Sequence, residues 1–469
     1  MGWWILKTKI AATIGPSSRS VEIVKAMALA GASAFRINFS HGSVDEWLRF
    51  VRVVREVEGE VGRHLALIGD LRGPSVRIGD LDEPIRLRAG DEAHLVLADR
   101  LPGGGDKRIP IPNKSILGKF REGHILLMDD GRVVLRVLEE GGERISLKAL
   151  TDATITSRKN LVIQGRDLEL PTITEREVEA VRFAVQEDFD YIGLSYVREA
   201  EDVSMLKGML LSLGAKDIGI IAKIETPTAV NRLEEIVDSA DVILVARGDL
   251  GMYFSLEEIP RLQERIVDLC IERGKPVIVA TQILGSMVES PIPTRGEIID
   301  VVSAIRQGVD VLMLTGETAI GKYPVEAVKW LSKIIKTYEP DITPQRRRKL
   351  RDGDVRDRFA YGVVSLAESL DAVIGVYTRS GRTAMRIASF RPRCRIFSAS
   401  NSKRTLRKLA LIWGIESIMV SSKDYEEGLD ELQSRIERLV GGKIMVLTYG
   451  LREEPLHTVR IVQSRELKA

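Results

Sequence analysis

Gly219-Ile220-Ile221-Ala222-Lys223-Ile224-Glu225 and Val242-Ile243-Leu244-Val245-Ala246-Arg247-Gly248-Asp249-Leu250-Gly251 decide how this chain reads. Each opens with an apolar run of strand length, the pattern of a parallel strand covered on both faces. Side chains two apart on a strand share a face, so Lys223 and Glu225 point the same way. If the two runs are neighbours, their backbones lie roughly 4.8 Å apart. Glu225 and Asp249 then reach one hard divalent cation from adjacent strand ends. Mg²⁺ suits such a pair, because it takes one or two carboxylates and keeps water and substrate oxygens.

Working outward, the same strand-then-helix unit recurs. Strands are expected at 9–15, 34–39, 65–71, 191–196, 219–224, 242–246, 276–281 and 309–314. Helices are expected at 20–30 (capped by Ser17 or Ser18), 44–61, 175–186, 200–213, 228–238, 256–273, 294–307 and 324–337. Eight βα units point to an α/β chain built on a closed (β/α)₈ barrel; counting alone leaves an open doubly wound sheet as the alternative. The rhythm stops after the third strand. Residues 76–168 alternate in short apolar runs with Gly and Pro turns, which reads as an inserted small β domain. From about 356 a separate α/β unit follows, with strands at 373–378, 395–398, 417–420 and 443–449.

The chain has 469 residues, so several domains are expected. With a formal net charge of +2, charge alone argues for neither a nucleic-acid nor a membrane partner, and neither is expected. Arg346-Arg347-Arg348-Lys349 is followed by Asp352, Asp354 and Asp357, so it reads as a solvated linker. Cys270 and Cys394 read as reduced, buried thiols. With no signal-like start and no apolar run near the roughly 20 residues of a membrane helix, the expectation is a cytoplasmic protein.

In such a barrel, functional side chains gather at the C-terminal ends of the strands. There the sequence places Arg36, Asn38, Ser40 and His41 after strand two, and Asp70 after strand three. Lys223 and Glu225 follow strand five, and Gly248 and Asp249 strand six. Thr281 follows strand seven; Thr315, Gly316 and Glu317 follow strand eight. Taken singly these residues have bland readings. Asp249 could make a turn, Lys223 could snorkel to the surface, and Glu225 could cap a helix near Thr226. His41 could be a satisfied structural histidine, and Thr281 and Thr315 strand residues chosen for shape. Together, cations and carboxylates converging on one barrel mouth suggest a site for an anionic, metal-bound ligand, because buried charges need partners.

Six strings in order carry a resemblance. They are Thr13-Ile14-Gly15-Pro16-Ser17-Ser18, Arg36-Ile37-Asn38-Phe39-Ser40-His41-Gly42, Lys223-Ile224-Glu225, Ala246-Arg247-Gly248-Asp249-Leu250-Gly251, Ala280-Thr281-Gln282 and Gly316-Glu317-Thr318. With them the chain resembles the pyruvate kinases over nearly its whole length. The resemblance implies a catalytic barrel over 1–75 and 169–342, a β lid over 76–168 and a C-terminal α/β domain over 343–469. It implies phosphoryl transfer from phosphoenolpyruvate to ADP, giving pyruvate and ATP, in a homotetramer.

The implied roles make physical sense, since phosphoryl transfer is mostly positioning and charge stabilisation. Lys223 would lie against the migrating group and the enolate oxygen, and Arg36 would hold the phosphate. Glu225 and Asp249 would bind Mg²⁺ or Mn²⁺. Backbone N–H groups of Arg247, Gly248 and Asp249 would take the substrate carboxylate. Thr281, with Thr315 and Glu317, would relay a proton to the enolate carbon. Thr13, Pro16, Asn38, His41, Arg77 and Lys159 would border or contact the nucleotide, Lys159 arriving with the lid. Asn38, Ser40, Asp70 and Leu71 match the positions that hold K⁺ in many members. Thr378-Arg379-Ser380-Gly381-Arg382-Thr383 resembles a loop that binds effector phosphates, and reads equally well as a capped strand–helix turn.

The sequence departs from the family in three places. Leu71 stands where K⁺-dependent members have Thr, and Ser75 replaces a residue that is Glu or Lys elsewhere, so K⁺ dependence is expected to be weak or absent. Asn160-Leu161-Val162-Ile163-Gln164-Gly165 replaces the usual Gly-Val-Asn-Leu-Pro-Gly at the lid junction. Two rival readings are a Mg²⁺-dependent barrel lyase or aldolase acting on pyruvate enolate, and a non-catalytic scaffold. The first has no use for His41, Arg77 and Lys159; the second is expected to have lost Lys223 or a metal carboxylate.

Overall fold

In the computed structural model, residues 6–129, 131–139, 144–168, 170–342, 348–350, 354–450 and 457–463 are described. Eight parallel strands close a barrel: Lys9–Ile14, Ala32–Asn38, Ala66–Asp70, Tyr191–Leu194, Gly219–Ile224, Val242–Ala246, Val277–Ala280 and Val311–Leu314. The last pairs with the first through Lys9↔Val311 to Ala12↔Leu314, which rules out the open sheet. Apolar side chains cover both strand faces. Ala11, Ala34, Ile221, Leu244, Ile278 and Met313 fill the inside, and Ile10, Phe35, Leu67, Ile243 and Leu312 pack outward on the helices.

Local chemistry sets the ends of the helices. The first, Val21–Ala30, is capped by Ser20, whose hydroxyl accepts from Ile23 N–H, and not by Ser17 or Ser18. Pro16–Ser18 instead form a short 3₁₀ turn, closed by Gly15 N–H donating to Ser18 Oγ at 3.2 Å. A Cβ on Gly15 would stand 2.6 Å from the Ala319 carbonyl oxygen, so only glycine fits there. The helix expected at 228–238 is two, Pro227–Asn231 and Leu233–Ser239, broken at Arg232. The first is capped by Thr226 Oγ1, which leaves Glu225 free of that duty.

Between Ala66–Asp70 and the helix Glu175–Gln186 the chain makes a separate β unit. Its main sheet has six strands, and Ala93, Ile109, Phe120, Leu126, Leu135 and Leu147 lie in its own core. Leu127 and Val162 of this lid pack on Met252 and Tyr253 of the barrel.

The C-terminal unit is a five-stranded sheet in which His457–Gln463 pairs antiparallel with Ile444–Gly450, an edge strand not expected from sequence. It docks on the N-terminal end of the barrel. Asp310 and Arg391 make a buried ion pair at 2.6 Å, and Asp310 Oδ1 also accepts from Trp413 N–H. Arg407 grips Glu58 at 2.7 Å, and Tyr191 O–H donates to Lys408 C=O at 2.9 Å. The opposite barrel mouth stays open under the lid. Of the basic run, Arg346 and Arg347 lie outside the described residues; Arg348 pairs with Asp357 and Lys349 with Glu272. No helix among the described residues is long and apolar enough to cross a membrane.

Candidate active site

The strand geometry delivers Lys223, Glu225, Asp70 and Arg36 to one place. Lys223 Nζ lies 2.8 Å from Glu225 Oε1 and 3.4 Å from Asp70 Oδ1, with its side chain 12% exposed. It also donates to Ser195 Oγ at 2.8 Å. Arg36 Nε donates to Asp70 Oδ2 at 2.7 Å, and its Nη1 donates to Thr13 Oγ1 at 3.2 Å. Burial disfavours the Lys223 ammonium, but Asp70, Glu225 and Asp249 outweigh it and hold Lys223 firmly protonated. Asp70 is kept ionised against its own burial by Lys223 and Arg36.

Glu225 is buried, and its Oε2 accepts from Tyr196 N–H at 2.7 Å. Burial and the neighbouring Glu225 charge push the Asp249 carboxyl well above its usual range. Two acids that repel in this way make a place for a cation. Among the described residues no group of three or more His, Cys, Asp or Glu could hold a metal. A two-carboxylate site fits Mg²⁺ or Mn²⁺, which complete their shell with oxygens from water and substrate.

Arg247 to Leu250 form one helical turn. The Arg247 side chain is held by Asp300 at 2.6 Å and by the carbonyls of Thr281 and Gln282. Gly248 N–H donates to Thr281 Oγ1 at 2.7 Å, so an incoming carboxylate would compete with that hydroxyl for it. Thr281 is not a strand residue. It has φ +69° and Gln282 +52°, beyond the end of Val277–Ala280, which is a strained conformation for a β-branched side chain. Glu317 is buried and fully engaged, accepting from Leu284 N–H on one oxygen and from Thr315 N–H and O–H on the other.

Sequence reasoning missed Ser195 and Tyr196, which touch Lys223 and Glu225. The strand-end rule pointed to them, since they follow Tyr191–Leu194 directly, but Ser-Tyr carries no charge to attract notice. Asp300 was missed because it lies within the helix Arg295–Gln307.

A family model described as "Pyruvate kinase, barrel domain" matches residues 5–328, and one described as "Pyruvate kinase, alpha/beta domain" matches 357–455. The chain is 40% identical over 459 residues to a pyruvate kinase of Pyrobaculum aerophilum, covering 97% of this chain and 96% of that one. It is 36% identical over 456 residues to one of Aeropyrum pernix, covering 97% and 98%. The crystal structure of pyruvate kinase from Pyrobaculum aerophilum superposes with a TM-score of 0.87 at 38% identity, over 97% of this chain and 99% of that chain. The chain belongs to the pyruvate kinase family.

Of the other positions that resemble pyruvate kinase sites, Ser40, His41 and Arg77 line a cleft of about 790 Å³ between lid and barrel, together with Arg72, Ser75, Arg158 and Arg176. Burial and the charges of Arg77, Arg36, Arg72 and Arg176 hold His41 neutral. Arg77 Nη1 donates to the Arg158 carbonyl, and Lys159 pairs with Asp129 on the lid. Pro16 is exposed at the start of its 3₁₀ turn. Of the residues matching pyruvate kinase K⁺ positions, Asn38 Oδ1 accepts from Ser40 N–H and the Leu71 carbonyl from Ser195 O–H.

In the C-terminal loop, Gly381 N–H donates to Thr378 Oγ1. Arg379 reaches the Lys423 carbonyl and stacks on Tyr425, while Arg382 is exposed. Ser380 and Thr383 flank that turn at the start of the helix Arg382–Ala388.

Proposed function

We propose that this chain transfers the phosphoryl group of phosphoenolpyruvate to ADP, giving pyruvate and ATP, through the residues of the barrel mouth. The observation that carries the reading is Lys223, a protonated lysine pinned between Glu225, Asp70 and Ser195 beside Asp249. A fixed ammonium with low exposure stabilises charge far better than one in water, because it needs no reorganisation as charge develops. Lys223 meets the migrating phosphoryl group and the enolate oxygen. Arg36, braced on Asp70 and Thr13, holds the phosphate.

Glu225 and Asp249 would hold a divalent ion, Mg²⁺ or Mn²⁺, which would supply charge neutralisation for the substrate's oxygens. The N–H groups of the turn at Arg247, Gly248 and Asp249 orient that carboxylate. Before substrate enters, Thr281 Oγ1 accepts from Gly248 N–H; once the carboxylate takes that N–H, the hydroxyl would be released to donate its proton to the enolate carbon. Thr315, set by Glu317, would complete the relay. The cationic cleft with His41 and Arg77, together with Lys159, takes the nucleotide, a demand the lyase or aldolase reading lacks. The same reading includes a homotetramer, whose interfaces would bury exposed apolar side chains such as Leu256, Ile292, Ile299 and Ile320.

The test is pyruvate formation from phosphoenolpyruvate with Mg²⁺ or Mn²⁺, with and without ADP. ADP-dependent turnover is expected, with loss of phosphoryl transfer but retained substrate binding in Lys223→Met. Pyruvate release that ignores ADP would sink the kinase reading.

A further inference from the structure

Tyr196 joins the lid to a carboxylate of the barrel mouth. It follows the strand Tyr191–Leu194 with φ +55°, a backbone conformation uncommon for a bulky residue. That conformation aims its N–H at Glu225 Oε2, 2.7 Å away. At the other end of the residue, the ring hydroxyl accepts from Asn160 Nδ2 at 3.3 Å. Asn160 belongs to the lid: its backbone bridges Arg77, and it follows Lys159 directly. Its Nδ2 also lies 3.7 Å from Met252 Sδ, three residues beyond Asp249. Asn160 Oδ1 is buried and has no hydrogen-bond partner among the described residues. The amide is held by the tyrosine hydroxyl and the Met252 sulfur, and around it Leu127 and Val162 seal on Met252 and Tyr253.

We propose that the Asn160–Tyr196 contact is a latch through which the seated lid sets the orientation of Glu225. Asn160 is then a positioning residue, acting on the cation-binding carboxylate through Tyr196. This rests on the reading of Glu225 as a divalent-cation ligand. A strained φ persists only where the surroundings hold it. When the lid lifts, Asn160 leaves, the Tyr196 backbone can relax, and Glu225 Oε2 loses the N–H that orients it. The coupling is reciprocal: a lid that improves cation binding is itself held down by the cation. The lid-junction string supplies the asparagine this device needs, where the family's usual string begins with glycine.

The experiment is Mn²⁺ binding to the full chain, followed by electron paramagnetic resonance, in native protein, Asn160→Ala, Tyr196→Phe, the double variant and Glu225→Gln. Each single latch variant is expected to weaken Mn²⁺ binding roughly three- to tenfold, toward the low end of the coupling between residues in contact. The double variant should lose no more than the worse single one, since both remove the same link. Native affinity in either single variant, or a double variant losing the product of the two single effects, overturns the latch. Should Tyr196→Phe fail to fold, Asn160→Ala against native protein still decides. If Glu225→Gln binds Mn²⁺ as tightly as native protein, the cation-site reading has failed instead.

Discussion

Lys223 Nζ lies 2.8 Å from Glu225 Oε1, two residues further along the same chain segment. Alternation on a strand puts both side chains on one face. The pairing lowers the desolvation penalty that each charge would carry alone. It also means that a divalent ion arriving at Glu225 must share that carboxylate with an ammonium or displace it. The site is electrostatically tuned before any ligand enters, with Asp70 and Arg36 completing a chain of alternating charges.

Cation affinity should depend on pH through Asp249. Burial and Glu225 raise its pKa above the ordinary carboxylate value, so lowering the pH across the neutral range protonates the site and a cation must then displace that proton. Apparent Mn²⁺ affinity, measured by resonance titration, is expected to weaken steadily as pH falls. In Asp249→Asn the affinity should be low and nearly independent of pH over the same range. A native affinity flat in pH would contradict the assignment.

Thr281→Val keeps the shape and the strained backbone but removes the hydroxyl. The Gly248 N–H then loses its acceptor, which costs about 1–3 kcal/mol of stability if it stays buried. Turnover should fall about 10²-fold or more if the hydroxyl also serves the proton step. Thr281→Ser should restore most of it. Denaturant melts and steady-state rates on the two variants separate the structural loss from the catalytic one.

Lys9 sits buried under the barrel, donating to the carbonyls of Leu6 and Ile415, and burial lowers its pKa from 10.5 to about 8. Between those two values the unfolded chain binds a proton that the folded one has released. Stability contributed through this group therefore rises with pH across that window, and the penalty is fully present below about 8. The effect is at most about 3 kcal/mol. Urea melts of native protein and Lys9→Met at pH values spanning the window should converge as pH rises; parallel curves would refute the shift.

Potassium should matter little. Asp70 is already balanced by Arg36 and Lys223, Asn38 Oδ1 is taken by Ser40 N–H, and the Leu71 carbonyl is taken by Ser195. Rates in K⁺ and in tetramethylammonium, at equal ionic strength, are expected to agree within a few fold. A large drop without K⁺ would show that the cation displaces these contacts.

For the loop Thr378 to Thr383, sugar phosphates are expected to bind through the exposed Arg382, and Arg382→Ala to weaken them about tenfold, the loss of one charge-assisted contact. Calorimetric titration of both proteins reads this directly. No binding to either would leave the loop as a capped turn, a role its Thr378–Gly381 hydrogen bond already fills.

Much of this was legible along the chain. Apolar runs followed by helices give eight βα units, because a strand covered on both faces has to be apolar throughout. The charged residues stood out at the ends of those runs, because a barrel tolerates charge only where side chains leave the core. The lid announced itself by a change of period from helical to alternating.

What the sequence by itself determined, then, was the set of elements and the residue types at their ends, since both follow from local periodicity and solvation. Only the tertiary structure decided closure of the barrel, the partners of Lys223, the capture of Gly248 N–H by Thr281, the turn of Tyr196 toward Glu225 and the edge strand His457–Gln463. These depend on distances between residues far apart in the chain and on backbone torsions in loops. Neither leaves a periodic trace, because one strained torsion or one long-range hydrogen bond is selected by its surroundings and not by its neighbours in sequence.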